Sequence, residues 1–246
     1  MISFERKIFN QYKKSLLYKI FVVYIIFGLL IFSVNRGEYA YFDLLHYSTN
    51  HPFFIALFLL PVTLFAVIFI EHKYYNNYNN LLRIGNRKKI INSNFKLIFL
   101  VVSDLFTILI STGLILTNIF ANRNYYIASD KYYGVSNLLL LVISLFKTYI
   151  FAIIMGLLGS YLSNKKVHTC IVIILLIMTS FMGVVPNRFL FLFPGYYISN
   201  YHIFYSISKN IIFSTIYLIV IFLVCFILYK RKWNGDILWD IYWCWI

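Results

Sequence analysis

Six apolar runs, each about as long as a bilayer is thick, constrain this chain more than any other feature. They occupy about residues 16 to 34, 52 to 70, 97 to 120, 137 to 162, 167 to 185 and 211 to 229. A helix rising ~1.5 Å per residue needs roughly 20 mostly apolar residues to cross ~30 Å of hydrocarbon. Inside hydrocarbon every backbone polar group must be satisfied locally, which a helix does unaided. The runs therefore predict an all-α, polytopic integral membrane protein with six transmembrane helices. Composition agrees: 12% of residues are charged and 61% hydrophobic, whereas soluble domains carry about a quarter charged. A soluble core of this length could not hide so much apolar surface. Residues 1 to 246 read as a single transmembrane domain, with no internal repeat and no soluble module.

The net charge of +14 would suggest nucleic acid in a soluble protein, but basic residues beside spans are first a topology signal. With the N-terminus inside, the inner segments hold Arg6, Lys7, Lys13, Lys14, Lys19, Lys73, Arg83, Arg87, Lys88, Lys89, Lys96, Lys165, Lys166, Lys230, Arg231 and Lys232. The outer segments hold Arg36, Arg123, Lys131, Arg188 and Lys209, and Lys147 lies within a span. This asymmetry predicts that both termini are cytoplasmic and makes nucleic acid an unexpected partner. The sequence Ser33-Val34-Asn35-Arg36 is not a cleavage site, so the first run reads as a retained anchor.

Residues 1 to 15 predict an N-terminal interfacial amphipathic helix. Met1, Phe4, Ile8, Phe9 and Tyr12 gather on one side of a helical wheel, opposite Arg6, Lys7, Asn10, Lys13 and Lys14. At the other end Trp233, Trp239, Trp243 and Trp245 follow Lys230-Arg231-Lys232, and tryptophan favours the membrane-water interface. Two connections are long. The inner one, Glu71 to Lys96, is polar and basic, with a short helix expected from about Asn86 that brings Arg87, Ile90, Ile91 and Phe95 to helical spacing. The outer one, Pro186 to Asn210, is aromatic and divided by Pro194-Gly195, which suits helical elements dipping partway into the membrane.

Catalytic and cofactor motifs are missing. No Gly-x-x-x-x-Gly-Lys-Ser/Thr occurs at any of the ten glycines, and there is no His-Glu-x-x-His. Glu5, Glu38 and Glu71 all fall outside the predicted spans, and Cys170, Cys225 and Cys244 lack metal or disulfide spacing. A rhomboid-like serine site could be sought at Gly156-Leu157-Leu158-Gly159-Ser160, but the five histidines fall in loops or at a span edge. Small residues so spaced let helices approach closely instead.

Two ionisable residues do fall within spans, where burial is costly and function the default suspicion. Asp104 lies ~10 Å and Lys147 ~22 Å from the inner face, a gap too large for a direct pair. Asp104, Thr107 and Ser111 share a helical face that either lines a substrate path or joins helices, and Lys147 either contacts substrate or snorkels outward. Pro61 frees the carbonyl of Leu57, predicting a kink that is either a hinge or static.

A basic amphipathic first helix, six spans, cytoplasmic ends and the segment Arg83-Ile84-Gly85-Asn86-Arg87-Lys88-Lys89 together resemble the type-2 permease subunits of ABC exporters. The segment is similar to the Arg-x-Gly-Ser-Arg-Lys-Lys stretch of small permeases from Gram-positive bacteriocin and lantibiotic export or self-protection operons, with Asn86 in place of the serine. The resemblance implies that Arg83, Arg87, Lys88, Lys89, Ile90, Ile91 and Phe95 belong to a coupling helix that docks on a separate cytosolic ATPase. It implies a second permease as partner, either a homodimer or a sister subunit, and ATP bound by the ATPase and not by this chain. The expected setting is a bacterial cell membrane and its lipid. A second class of function is a non-transporting immunity or sensing protein that binds a peptide or lipid at its outer face.

Overall fold

The computed structural model describes residues 4–34, 41–75, 87–121, 137–163 and 207–234; apart from short turns these are helical, with no strand among them. Helix α1 (Phe4–Lys13) buries Ile8 and Tyr12 and exposes Arg6 and Lys7, as its two-faced pattern predicts. A turn at Lys14 and Ser15 follows, and the Ser15 hydroxyl accepts the Tyr18 N–H at 3.2 Å. That bond satisfies one of the orphan donors at the start of α2 (Leu16–Ser33).

Helix α3 (Tyr41–Asn50) forms from a stretch predicted as loop, because Leu44, Leu45, Tyr47 and Ser48 give it a face to bury against the spans. The next rod runs from α4 (Pro52–Phe54) through a π-helical turn (Ile55–Leu59) into α5 (Leu60–Ile70) and a second π-helical turn (Glu71–Tyr75). Helices α6 (Arg87–Phe120), α7 (Asn137–Leu162) and α8 (Ile207–Asn234) complete the described structure. Helix α7 is central, packing against α3, α5, α6 and α8, while α6 also receives α1, α2 and α3.

Four helices are long and apolar enough to cross a membrane: Leu16–Ser33, Ile55–Lys73, Lys88–Phe120 and Leu141–Leu162. They correspond to the first four predicted spans. The sixth run falls on α8, and the fifth, 167 to 185, lies outside the described residues, as do Arg83 and most of the outer connection. Large apolar side chains face outward, among them Val23 at 64%, Phe146 at 63% and Ile227 at 62% exposure. So broad an apolar exterior is stable in lipid and not in water. The described residues are all-helical, and their long apolar helices are those of a membrane protein.

Helix α6 departs from the expected layout. A short helix over 86 to 95 followed by a separate span was predicted, yet one helix of 34 residues runs from Arg87 to Phe120. No proline occurs in it and its one glycine is Gly113, so nothing after Arg87 breaks the hydrogen-bond ladder. At ~1.5 Å per residue it is ~51 Å long, well beyond the hydrocarbon thickness, and its first three turns extend the span as one rigid piece.

Candidate functional site

The second π-helical turn with Lys73, the start of α6 with Lys88 and Lys89, and the ends of α7 and α8, the latter with Lys230, meet at one end of the bundle, the basic end. A buried polar knot fixes them. Glu71, 1% exposed, accepts from Asn94 Nδ2 at 2.7 Å through Oε1 and from the Ser163 hydroxyl at 2.9 Å through Oε2. Asn94 also donates to Ser160 Oγ at 3.2 Å. The Tyr229 hydroxyl donates to the Ile91 carbonyl at 2.9 Å, tying α8 to the same turn of α6. Glu71 is thus a tertiary joint and not a loop carboxylate. A charged acceptor roughly doubles the strength of such bonds, and at this burial losing it would be costly.

The first turns of α6 sort the predicted coupling residues into two faces. Lys88, Lys89, Asn92 and Lys96 are exposed, forming a basic stripe at helical spacing. Ile90, 7% exposed, belongs to the core, and Ile91 and Phe95 pack against it. Ile90, Ile91 and Phe95, expected on a helix that docks on a partner, turn instead toward this chain's own core, which corrects that expectation. Positions 90, 94, 97, 101, 105 and 109 are one buried stripe continuing down α6. Arg87 begins the helix.

Asp104 finds its partners on the N-terminal element. Lys13 Nζ lies 2.7 Å from Oδ1 and the Tyr18 hydroxyl donates to Oδ2 at 2.7 Å, with the Lys13 and Asp104 side chains 40% and 19% exposed. Tyr12 meets Tyr18 edge-on at 5.1 Å between ring centroids. The elbow between α1 and α2 is latched onto α6 by a charge pair and an aromatic contact.

The four residues considered for a substrate path bond to different partners, Asp104 to Lys13 and Tyr18 and the two hydroxyls to their own helix. The Thr107 hydroxyl turns back on the Ser103 carbonyl at 2.8 Å and that of Ser111 on the Ile108 carbonyl at 3.1 Å, both on exposed positions. Thr107 lines a shallow groove of about 380 Å³ between α6 and α7, with Ser103, Phe106 and Tyr149. Lys147, 5% exposed, stands on α7 two residues from Tyr149, whose hydroxyl meets that of Ser103 at 2.7 Å, so the depth gap expected between Asp104 and Lys147 is corrected: α6 and α7 carry them at nearly the same level. Beside Lys147, Thr148 donates to Asn50 Oδ1 at 2.7 Å, and Asn50 donates to Thr49 Oγ1 at 2.9 Å. On α3, burial and secondarily the charge of Lys147 push the His46 imidazole down to about 4. It is uncharged at neutral pH.

Pro61 acts as the start of α5. The π-helical turn Ile55–Leu59 precedes it, and the Leu57 carbonyl that it frees accepts the Tyr24 hydroxyl at 3.1 Å. The gap in the ladder is used as a bond between α2 and the second span.

Gly156 and Gly159 mark close approach. A Cβ on Gly156 would stand 2.7 Å from Ile98 Cγ2, and one on Gly159 would stand 3.1 Å from the Leu64 carbonyl oxygen. We expect Gly156→Val to lower stability by about 1–3 kcal/mol through separation of α7 from α6. Ser160→Ala should cost only about 1 kcal/mol, the worth of one bond. Thermal midpoints in detergent measure both, and the reverse ranking would contradict the packing role.

Glu71, Asn94, Ser163, His46 and Asn50 were not singled out from sequence. Asn94 carried a usable signal, since it occupies the apolar stripe between Ile90 and Leu97 where an amide needs a partner. Glu71 directly abuts the apolar run ending at Ile70, which was a weaker hint. Among the described residues no three His, Cys, Asp or Glu side chains gather as a metal site would require. Compared with protein-family models, with curated proteins and with solved structures, the chain matches none, so its functional reading rests on its own residues and their geometry.

Proposed function

We propose that the chain is the transmembrane permease subunit of an ABC transporter in the bacterial plasma membrane. It has six spans, both termini in the cytoplasm and α1 on the inner leaflet. It pairs with itself or a sister permease and is driven by a separate cytosolic ATPase that binds the ATP. It exports an amphipathic or hydrophobic molecule, a bacteriocin-like peptide being one candidate, and performs no catalysis of its own. One observation carries this reading: the basic stripe Lys88, Lys89, Asn92 and Lys96 faces outward on a helical extension whose opposite face is locked to α5, α7 and α8. A docking face on a rigid lever passes a partner's movement to the spans, whereas a positive-inside loop needs only charge. The burial of Ile90 moves the expected docking contact from apolar to basic side chains.

A second reading, an immunity or sensing protein, is favoured by the group His46, Asn50, Lys147 and Thr148 toward the other end of the bundle, where a buried cation and hydrogen-bonding groups could hold an anionic ligand.

Orientation tests the docking reading first. A cysteine at exposed Asn92 should react with an impermeant maleimide only after permeabilisation, while one at Asn124, in the connection predicted outside, should react in intact cells. Labelling of Asn92→Cys in intact cells would place the basic stripe beyond the reach of a cytosolic ATPase.

A further inference from the structure

Between α2 and the second span, at the basic end, runs a groove of about 520 Å³ lined by Leu17, Phe21, Phe65, Phe69, His72 and Lys73. Its walls are apolar and its mouth is cationic. Phe65 is 44% exposed, and Lys73 Nζ stands 5.3 Å from the Phe69 ring centroid, at the junction of charge and aromatic wall. We propose that this groove is a specific site for an anionic phospholipid of the adjacent leaflet, with one acyl chain along Phe21, Phe65 and Phe69 and the phosphate against Lys73 and His72. The proposal rests on the membrane setting and not on the transporter assignment.

The chemistry favours lipid over other occupants. In a bilayer, acyl chains gain little by exchanging lipid for an apolar wall, so selectivity must come from the headgroup. The Lys73 ammonium at the groove mouth supplies it, with the His72 imidazole beside it as a hydrogen-bonding group, because basic residues at the surface attract anionic lipid. A second copy of this chain would bring its own Lys73 toward the same mouth, setting like charge against like charge. Phe21 and Phe65 lie about one turn along their helices from Tyr24 and Pro61, so an acyl chain in the groove packs next to the stretch where Pro61 interrupts the helix ladder.

The test uses the full chain purified in neutral detergent, titrated with phosphatidylglycerol or phosphatidylcholine and observed by native mass spectrometry. Phosphatidylglycerol should bind at least tenfold more tightly. Lys73→Gln should weaken it about fivefold, and Lys73→Gln with His72→Gln should remove the preference. Lys230→Gln, an exposed cation on α8, should leave it unchanged. A photoreactive residue replacing Phe65, with Lys73 and His72 intact, should cross-link a phospholipid. Equal affinity for the two lipids, equal loss in the Lys230 variant, or cross-linking to a second copy or another polypeptide would each overturn the assignment.

Discussion

Glu71→Leu should be the most damaging single substitution at the basic end, lowering stability by about 3 kcal/mol or more. The carboxylate is acceptor to Asn94 and to Ser163, which are 0% and 6% exposed, and leucine leaves both donors buried without it. For a chain of this size that loss corresponds to a drop of roughly 8 °C in thermal midpoint. Glu71→Gln keeps one acceptor oxygen and should fall between wild type and leucine. Lys96→Ala, on the exposed face of α6, should stay within about 0.5 kcal/mol. Heating followed by size-exclusion chromatography in detergent measures all three. A Glu71→Leu variant as stable as Lys96→Ala would mean that the knot does not join these helices.

The latch between the N-terminal element and α6 should show strong coupling. Lys13→Leu and Asp104→Leu are each expected to destabilise by about 1–3 kcal/mol, and the double variant by less than their sum, with a coupling of about 1 kcal/mol or more. Tyr18→Phe should couple to Asp104→Leu in the same way, because its hydroxyl donates to the other carboxylate oxygen. Lys147→Leu should be additive with Asp104→Leu to within about 0.5 kcal/mol, since Asp104 is held by Lys13 and Tyr18 whereas the charge of Lys147 acts on His46 of α3. Additivity of Lys13 with Asp104, or strong coupling of Lys147 with it, would show that the carboxylate is held otherwise.

These sites also show how far residue patterns reach. Apolar runs of membrane length identified the four span-length helices, because length and hydropathy are properties of one segment read alone. The depth gap expected between Asp104 and Lys147 was not legible, because it depended on where each helix begins and how α6 and α7 align, and Ser103 stands level with Tyr149. What stayed hidden depended on how elements fold back on each other. Lys13 reaches Asp104 because the turn capped by Ser15 returns α1 to α6, and no linear pattern encodes that angle. The apolar residues Ile90, Ile91 and Phe95 stood beside basic ones, so a surface patch and a core stripe looked alike from sequence. Extending the stripe through Asn94, Leu97 and Val101 decides for the core. Pro61 was correctly expected to free the Leu57 carbonyl, but its acceptance of the Tyr24 hydroxyl required knowing which span lies alongside.

The central claim is that the basic stripe of α6 docks on a separate ATPase, and affinity purification from the native membrane tests it most directly. Wild-type protein in mild detergent should carry with it a Walker-motif ATPase and show ATP hydrolysis. Lys88→Gln, Lys89→Gln and Lys96→Gln together should remove both while leaving expression, thermal midpoint and Asn92 labelling unchanged. Thirteen of the sixteen inner cations remain in that variant, so its orienting charge is kept. A wild-type preparation free of any nucleotide-binding protein, or a triple variant that retains the ATPase in full, would contradict the account.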